Sequence, residues 1–92
     1  MIVRISTEGQ YELDDQHAPR LNELDNAVVD AVNAANPETF SQLFDEMLDL
    51  VRSKGSPLGD DDLRDSEVII PPPDLTLAEA GEEFSGDGLI PG

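Results

Sequence analysis

The stretch DSEVIIPPPDLTLAEAGEEF, residues 65–84, predicts a strand, a strand-terminating proline segment and a helix in direct succession, and so sets the order of the C-terminal elements. Its apolar run must end by about Ile70. The prolines at 71–73 lack an N–H donor and restrict the residue before them. The stretch therefore predicts a strand at about 67–70, followed by a stiff extended segment that fixes where the next element lands.

Directly after the prolines the sequence predicts a short helix. Thr76 followed by Glu79 matches the capping-box pattern of a helix start, and the helix would run over about 76–84. Gly81 weakens it, because glycine in a helix interior costs about 1 kcal/mol relative to alanine. Gly81 and the acidic ending EEF also make this helix less apolar than a packing helix should be.

The N-terminal residues 2–13 predict a β-hairpin that supplies two more strands. With a three-residue loop at 7–9, Ile5 faces Tyr11 and apolar residues oppose apolar ones, whereas a two-residue loop would set Ile5 against Glu12. The three-residue loop is therefore expected. A hairpin alone is marginally stable, so its apolar face needs a cover.

The cover is an antiparallel pair of helices over about 17–35 and 37–54. Asn36 is the expected N-cap of the second helix, with Pro37 at its first helical position. Apolar residues recur at helical spacing in both helices. They are Leu21, Leu24, Val28, Ala31, Val32 and Ala35, then Phe40, Leu43, Phe44, Met47, Leu48 and Val51. The predicted fold class is α+β in one domain, 1–92: a three-stranded sheet, made by the hairpin and strand 67–70, packed on a helical hairpin, with a short C-terminal helix.

Charge is the strongest signal in the composition. The chain has 21 acidic residues against five lysines and arginines, a formal net charge of −16. Such a surface repels itself in dilute buffer, and molar salt relieves this by shortening the screening length from about 10 Å to about 3 Å. The balance indicates a salt-loving organism, with a mesophilic acidic partner-binder as the alternative. It argues against binding to nucleic acid phosphates or to anionic lipid.

Targeting and redox signals are absent from the sequence. There is no cysteine, which excludes disulfides and thiolate chemistry. The start MIVRISTEGQ lacks the basic and long apolar regions of a signal peptide, and no apolar run approaches the length of a transmembrane helix. We therefore expect a soluble cytoplasmic protein that does not insert into membranes itself.

No catalytic or metal-binding constellation emerges from the sequence. His17 is the single histidine, and its neighbours offer no convergent partner. The acidic run at 60–62 lacks the glycine at position six and the glutamate at position twelve of an EF-hand loop. We predict no enzyme, no cofactor and no metal site, with a cation-binding domain around 60–67 as a minor alternative.

Six segments, taken in order, resemble one family. They are MIVRI, EGQY, LNELDNAVVDAV, LVRSKGSPLGDDDL, IPPPDLTLAE and GLIPG. Together they are similar to the phage-shock protein A-associated family, the PspAA domain, over nearly the whole chain. The resemblance implies a small non-catalytic protein that binds and modulates a phage-shock protein A homologue in the membrane-stress response. It also implies that this partner is an ESCRT-III-like coiled coil which coats stressed membranes, and an archaeal or bacterial source.

A partner-binding surface is expected near the C-terminal third of the chain. Ile70, Leu75, Leu89 and Ile90 would present an apolar strip to a helical partner. Leu75, Leu89 and Ile90 could equally close the core. A second function also stays open, in which the acidic protein mimics a nucleic acid duplex and inhibits a DNA-binding protein.

Overall fold

A computed structural model describes residues 1–59, 61–62 and 64–84 of the chain. Four short strands in this part form one mixed sheet. In chain order they are Ile2–Ile5 (β1), Gly9–Glu12 (β2), Ser56–Pro57 (β3) and Val68–Ile70 (β4). The strand order is β3-β2-β1-β4, with β1 antiparallel to β2 and parallel to β4. The α+β class is confirmed.

The sheet has four strands in the described part of the chain, whereas three were predicted. The added strand is β3, which pairs antiparallel with β2 and places Pro57 opposite Tyr11. The Leu58 N–H then donates to the Gln10 carbonyl at 2.9 Å. Two residues, one of them proline, carry no alternation that a sequence pattern could detect. The strand forms because the chain runs back beside β2 as it leaves the second helix.

The hairpin register differs from the prediction by two residues. Ile5 lies opposite Gly9, and Val3 lies opposite Tyr11, so the loop comprises residues 6–8. The Glu8 N–H donates to the Ile5 carbonyl at 3.0 Å, which closes this tight turn. Since side chains alternate with period two, a shift of two residues leaves every side chain on its predicted face. The apolar pattern therefore could not distinguish the two registers.

Two long helices and one short helix complete the fold. They are Ala18–Asn33 (α1), Pro37–Lys54 (α2) and Leu77–Glu83 (α3), with a 3-10 turn at Asp15–His17 before α1. The Asn36 side chain accepts a hydrogen bond from the Thr39 N–H at 3.2 Å and caps α2, with Pro37 at its first position. Arg52 and Lys54 lie in the last turn of α2, where cations oppose the helix dipole favourably.

The short helix α3 packs despite its polar sequence. Thr76 and Glu79 form a complete capping box: the Glu79 N–H donates to Thr76 Oγ1, and the Thr76 N–H donates to Glu79 Oε1. Ala80 and Phe84 are buried, and the ring of Phe84 meets the rings of Phe40 and Phe44 edge-on at 6.4 and 6.1 Å. The sequence left the packing of this helix open; in the structure two buried residues one turn apart dock it.

One hydrophobic core lies between the sheet and the three helices. Val3, Ile5, Val68 and Ile70 form its sheet side, and the helical side holds most of the predicted stripe residues. Val32 and Leu43 are half-buried and Ala35 is exposed. Asp25, on the packing side of α1, is the buried charged residue of the described chain. The core covers one face of the sheet. On the other face Arg4 and Ile69 are exposed, and Ile2 is buried outside this core.

Candidate functional site

Of the four predicted partner-binding residues, Ile70 and Leu75 lie in the described part of the chain. Ile70 is fully buried on the inner face of β4, opposite Ile5 in the parallel ladder, and offers nothing to a partner in this conformation. Leu75 is half-buried and packs against the core. Leu89 and Ile90 lie outside the described residues. The apolar strip proposed from sequence therefore has only the partly exposed surface of Leu75 in the described chain.

The neighbouring residue Ile69 has the exposure that Ile70 lacks. Its side chain is 56% exposed, and it is the exposed large apolar residue of the described chain. Strand alternation explains this, because Val68 and Ile70 point into the core and Ile69 must then point away from it. The run VII was taken from the sequence as a uniform apolar segment. Applying the period-two rule to it would have found Ile69.

Ile69 belongs to the side of the sheet away from the helices. We call the polar or exposed residues of that side, Arg4, Gln10, Glu12 and Ile69, the outer face; Ile2 lies on the same side opposite Glu12 and is buried. Gln10, Arg4 and Ile69 are consecutive partners across three strands, with Arg4 in the middle. Adjacent strands lie about 4.8 Å apart, so the three side chains stand next to one another.

A loop fixes one end of the outer face. The Gln10 side-chain amide donates to Ser66 Oγ at 2.6 Å and to the Arg64 carbonyl at 3.3 Å. Arg64 in turn donates to Glu12 Oε2 at 2.6 Å and to Asp62 Oδ2 at 2.8 Å. These contacts hold the described part of the 58–66 loop beside the sheet and leave Arg4 at the floor of the space between them.

Two cavities open onto the outer face, and both are lined by Arg4, Gln10 and Asp62. The first, of about 230 Å³, lies between the hairpin and residues 57–59. The second, of about 630 Å³, is wider and is bounded by Ile69 on the far side. The Arg4 side chain is exposed and has no hydrogen bond or ion pair to any described residue. The two cavities therefore meet at a cation to which no described side chain is paired.

The acidic groups around the cavities are already matched to other arginines. Hydrogen bonds from Arg52 are the main cause that lowers the pKa of Glu8, and Tyr11 adds a bond to the same carboxylate at 2.8 Å. That bond raises the pKa of Tyr11. Hydrogen bonds from Arg64 likewise lower the pKa of Asp62. Both carboxylates are thus held in the charged form, which is opposite to the shift that a general acid needs at neutral pH.

Metal ligands do not converge in the described residues: no group of three or more His, Cys, Asp or Glu side chains there could hold an ion. Asp60, in the acidic run considered from sequence, lies outside the described residues. Among the described helices, none is both long and apolar enough to cross a membrane. The outer face, where no described residue pairs with Arg4, is the candidate site of the described surface.

These observations define a class: a small α+β protein whose sheet is packed on one face and open on the other. The family can be stated as well. The family model of PspA-associated proteins, PspAA, matches residues 1–92, and the chain belongs to this family. The resemblance found in the sequence is confirmed over the whole chain. No match was found among curated proteins or among solved structures.

Proposed function

We propose that the chain is a non-catalytic module that binds a phage-shock protein A homologue and modulates it in the membrane-stress response. The observation that supports this is the match of the PspA-associated family model to residues 1–92. An association with that protein is what the family's description states. Binding by this chain, and the regulatory consequence of binding, are the proposed steps.

The charge of the chain favours a protein partner over a lipid or a nucleic acid. A net charge of −16 opposes the approach of polyanions such as anionic bilayers and nucleic acid backbones. We therefore assign any membrane location of this chain to its partner, which would carry it there. Regulation through a bound partner requires no catalytic group on this chain.

The same charge supports a function in concentrated salt. The basic residues number five against 21 acidic ones, so most surface carboxylates have no cation beside them. Repulsion among them falls steeply once the screening length drops towards about 3 Å near 1 M salt. We propose a salt-adapted, archaeal source for the chain. Stability that rises between about 0.1 and 1 M potassium chloride, measured by thermal unfolding, would support this.

The first experiment is co-purification with the phage-shock protein A homologue of the same organism. We expect a stoichiometric complex that persists in about 2 M potassium chloride, because long-range charge attraction is screened there and apolar contact must hold it. If no complex forms at any salt concentration, the proposed function is wrong. Binding instead to basic DNA-binding proteins, lost steeply as salt rises, would favour the duplex-mimic alternative.

Ile90 provides a second test of where the partner binds. The sequence placed Leu89 and Ile90 in the partner-binding strip, and both lie outside the described residues. Ile90→Asp should weaken the complex if this strip takes part, since a buried carboxylate in an apolar contact is costly. A complex indifferent to the change would keep the proposed function and remove the tail from the binding surface.

A further inference from the structure

The outer face holds two features that the fold does not require. Ile69 exposes 56% of an apolar side chain, and Arg4 is a cation with no described partner in a chain of net charge −16. The described part of the chain holds many carboxylates, and none of them pairs with Arg4. The backbones of Ile69 and Arg4 are adjacent in the parallel ladder of β1 and β4. An apolar contact and a carboxylate-binding group are thus about one strand spacing apart.

The edge of β4 is a poor place for an added strand. The Ser6 N–H donates to the Ile70 carbonyl at 2.9 Å, so the backbone groups of Ile70 face β1 and those of Ile69 face the free edge. In a longer strand the next residue to face the edge would be Pro71, which has no N–H to donate. One residue cannot hold a strand. A partner on this side is therefore bound by side chains on the outer face and must satisfy its own backbone.

We propose that the outer face is the surface that docks a helix of the partner, with Ile69 and Arg4 as its two anchors. A helix satisfies its own backbone hydrogen bonds, and residues three or four positions apart on it lie about 5–6 Å from each other. That spacing matches the distance between neighbouring strands. The docked helix presents an apolar side chain to Ile69 and, one turn away, a carboxylate to Arg4, which arginine binds through two parallel hydrogen bonds.

Charge favours a helix of the partner over two other occupants, a second copy of this chain and a nucleic acid. A second copy of this chain would bring another −16 to the interface, and the repulsion opposes a homodimer. A nucleic acid would meet Arg4 and Arg64 but also Asp62 and Glu12, which bind Arg64 already. A helix with one carboxylate at the anchor position would meet Arg4, a cation of the cavity lining to which no described residue is paired. This inference rests on the proposed function, since it assigns the surface that the phage-shock protein A homologue would use.

The test compares variants of the full chain by isothermal titration with the phage-shock protein A homologue in about 1 M potassium chloride, where long-range attraction is screened. Ile69→Thr keeps a β-branched residue on the strand and should raise Kd about tenfold, because apolar contact area is lost. Arg4→Gln should raise Kd about fivefold, and Arg4→Glu more than Arg4→Gln, since it sets a like charge against the carboxylate.

Lys54→Gln is the matched control for Arg4→Gln. It makes the same change in net charge at an exposed cation at the end of α2, which also lacks a described partner. Binding by the wild-type chain together with equal Kd values for Arg4→Gln, Ile69→Thr and Lys54→Gln would overturn the docking surface and leave the proposed function standing. No binding by the wild-type chain would overturn both. A homodimer of the wild-type chain that Ile69→Thr dissolves, seen by sedimentation, would replace the helix with a second copy.

Discussion

The two faces of the sheet are formed by neighbouring residues of the same strands and differ in burial. On the inner face Val3, Ile5, Val68 and Ile70 are each no more than 3% exposed and pack against the helices. On the other side of the same strands Arg4, Gln10 and Glu12 are polar and Ile69 is exposed, whereas Ile2 is buried at 7%. The difference between Ile69 and Ile70, one residue apart, shows that alternation alone assigns one isoleucine to the core and the other to the surface.

The fold accounts for the residue composition of the inner face but not for that of the outer face. Burial of the inner face accounts for its apolar composition without any reference to a partner. Burial in the core does not account for Ile69, which is 56% exposed, or for Arg4 beside it, which pairs with no described residue. An exposed apolar residue that folding does not require is a candidate for a role in binding.

Replacing Ile70 and Ile69 with alanine, one at a time, is the most direct test of the difference between the two faces. Ile70→Ala should lower the free energy of unfolding by about 2–5 kcal/mol, because it leaves a cavity in the core. Ile69→Ala on the same strand should cost less than about 1 kcal/mol, since its side chain is already largely in water. Urea unfolding of both variants in the same high-salt buffer gives the two values. Equal losses would contradict the distinction between the faces.

Gly55 tests how closely the inner face approaches α2. A Cβ at this position would lie 3.0 Å from the Tyr11 Cβ and still closer to the Val51 carbonyl oxygen, which is backbone and cannot move away cheaply. We expect Gly55→Ala to cost about 1–3 kcal/mol by overpacking. The φ of Gly55 is −83°, so the loss comes from the close contact and not from backbone strain.

Gly81→Ala is the matched control for Gly55→Ala. A Cβ on Gly81 meets nothing within 4 Å, and the residue lies inside α3. Alanine there should stabilise the protein by about 0.5–1 kcal/mol through helix propensity. Thermal or urea unfolding gives the change in the free energy of unfolding for both variants. A loss for Gly55→Ala and a gain for Gly81→Ala would confirm that crowding beside β2 is specific to Gly55.

Long elements were predictable from sequence because their signals repeat. The stripes of α1 and α2 each extend over several turns, and Asn36-Pro37 marks the break between them. The capping box at Thr76 identified α3 as well. Short elements had no such redundancy. Strand β3 has two residues, and its pairing depends on where α2 ends in space, which no local pattern encodes.

The outer face was not predicted from the sequence, for two physical reasons. The prediction of Ile70 did not apply the period of two, which places Ile70 in the core and Ile69 on the opposite side of the sheet. The absence of a described partner for Arg4 depends on where the acidic side chains of other segments lie, which is a property of the tertiary structure. The burial of Asp25 likewise depends on the tertiary structure. Its carboxyl side chain lies on the packing side of α1, where it interrupts the apolar pattern, so the pattern cannot predict it.

Thr7 provides a test of the hairpin register. It has a φ of 70°, in the left-handed region that β-branched residues rarely adopt. Thr7→Gly should therefore stabilise the protein by about 0.5–1 kcal/mol, because relief of strain exceeds the extra entropy of the unfolded chain. Ser6→Gly is the control, since Ser6 has no positive φ and glycine there should destabilise. If the loop were at 7–9 instead, Thr7→Gly would show no such gain in urea unfolding.

The smallest effect concerns the ion pair that joins the hairpin turn to α2. Glu8 accepts hydrogen bonds from Arg52 at 2.5 and 2.9 Å, and this lowers its pKa below the ordinary value of 4.5. A depressed folded pKa gives stability that is present above pH 4.5 and is lost as the pH falls through the folded pKa. Because both side chains remain partly exposed, Glu8→Gln should cost less than about 1 kcal/mol at neutral pH.

The pH dependence of that loss is the informative quantity. Acid also protonates the other carboxylates and reduces their repulsion, so the unfolding free energy of the wild-type chain alone mixes the two effects. The difference between wild type and Glu8→Gln isolates the pair, and it should shrink towards zero as the pH is lowered from about 6 through the region below 4.5. Glu67→Gln removes the same charge at an exposed residue without a described side-chain partner. Its difference from wild type should not show this loss at low pH; a matching curve would mean that net charge, and not the bond to Arg52, sets the effect.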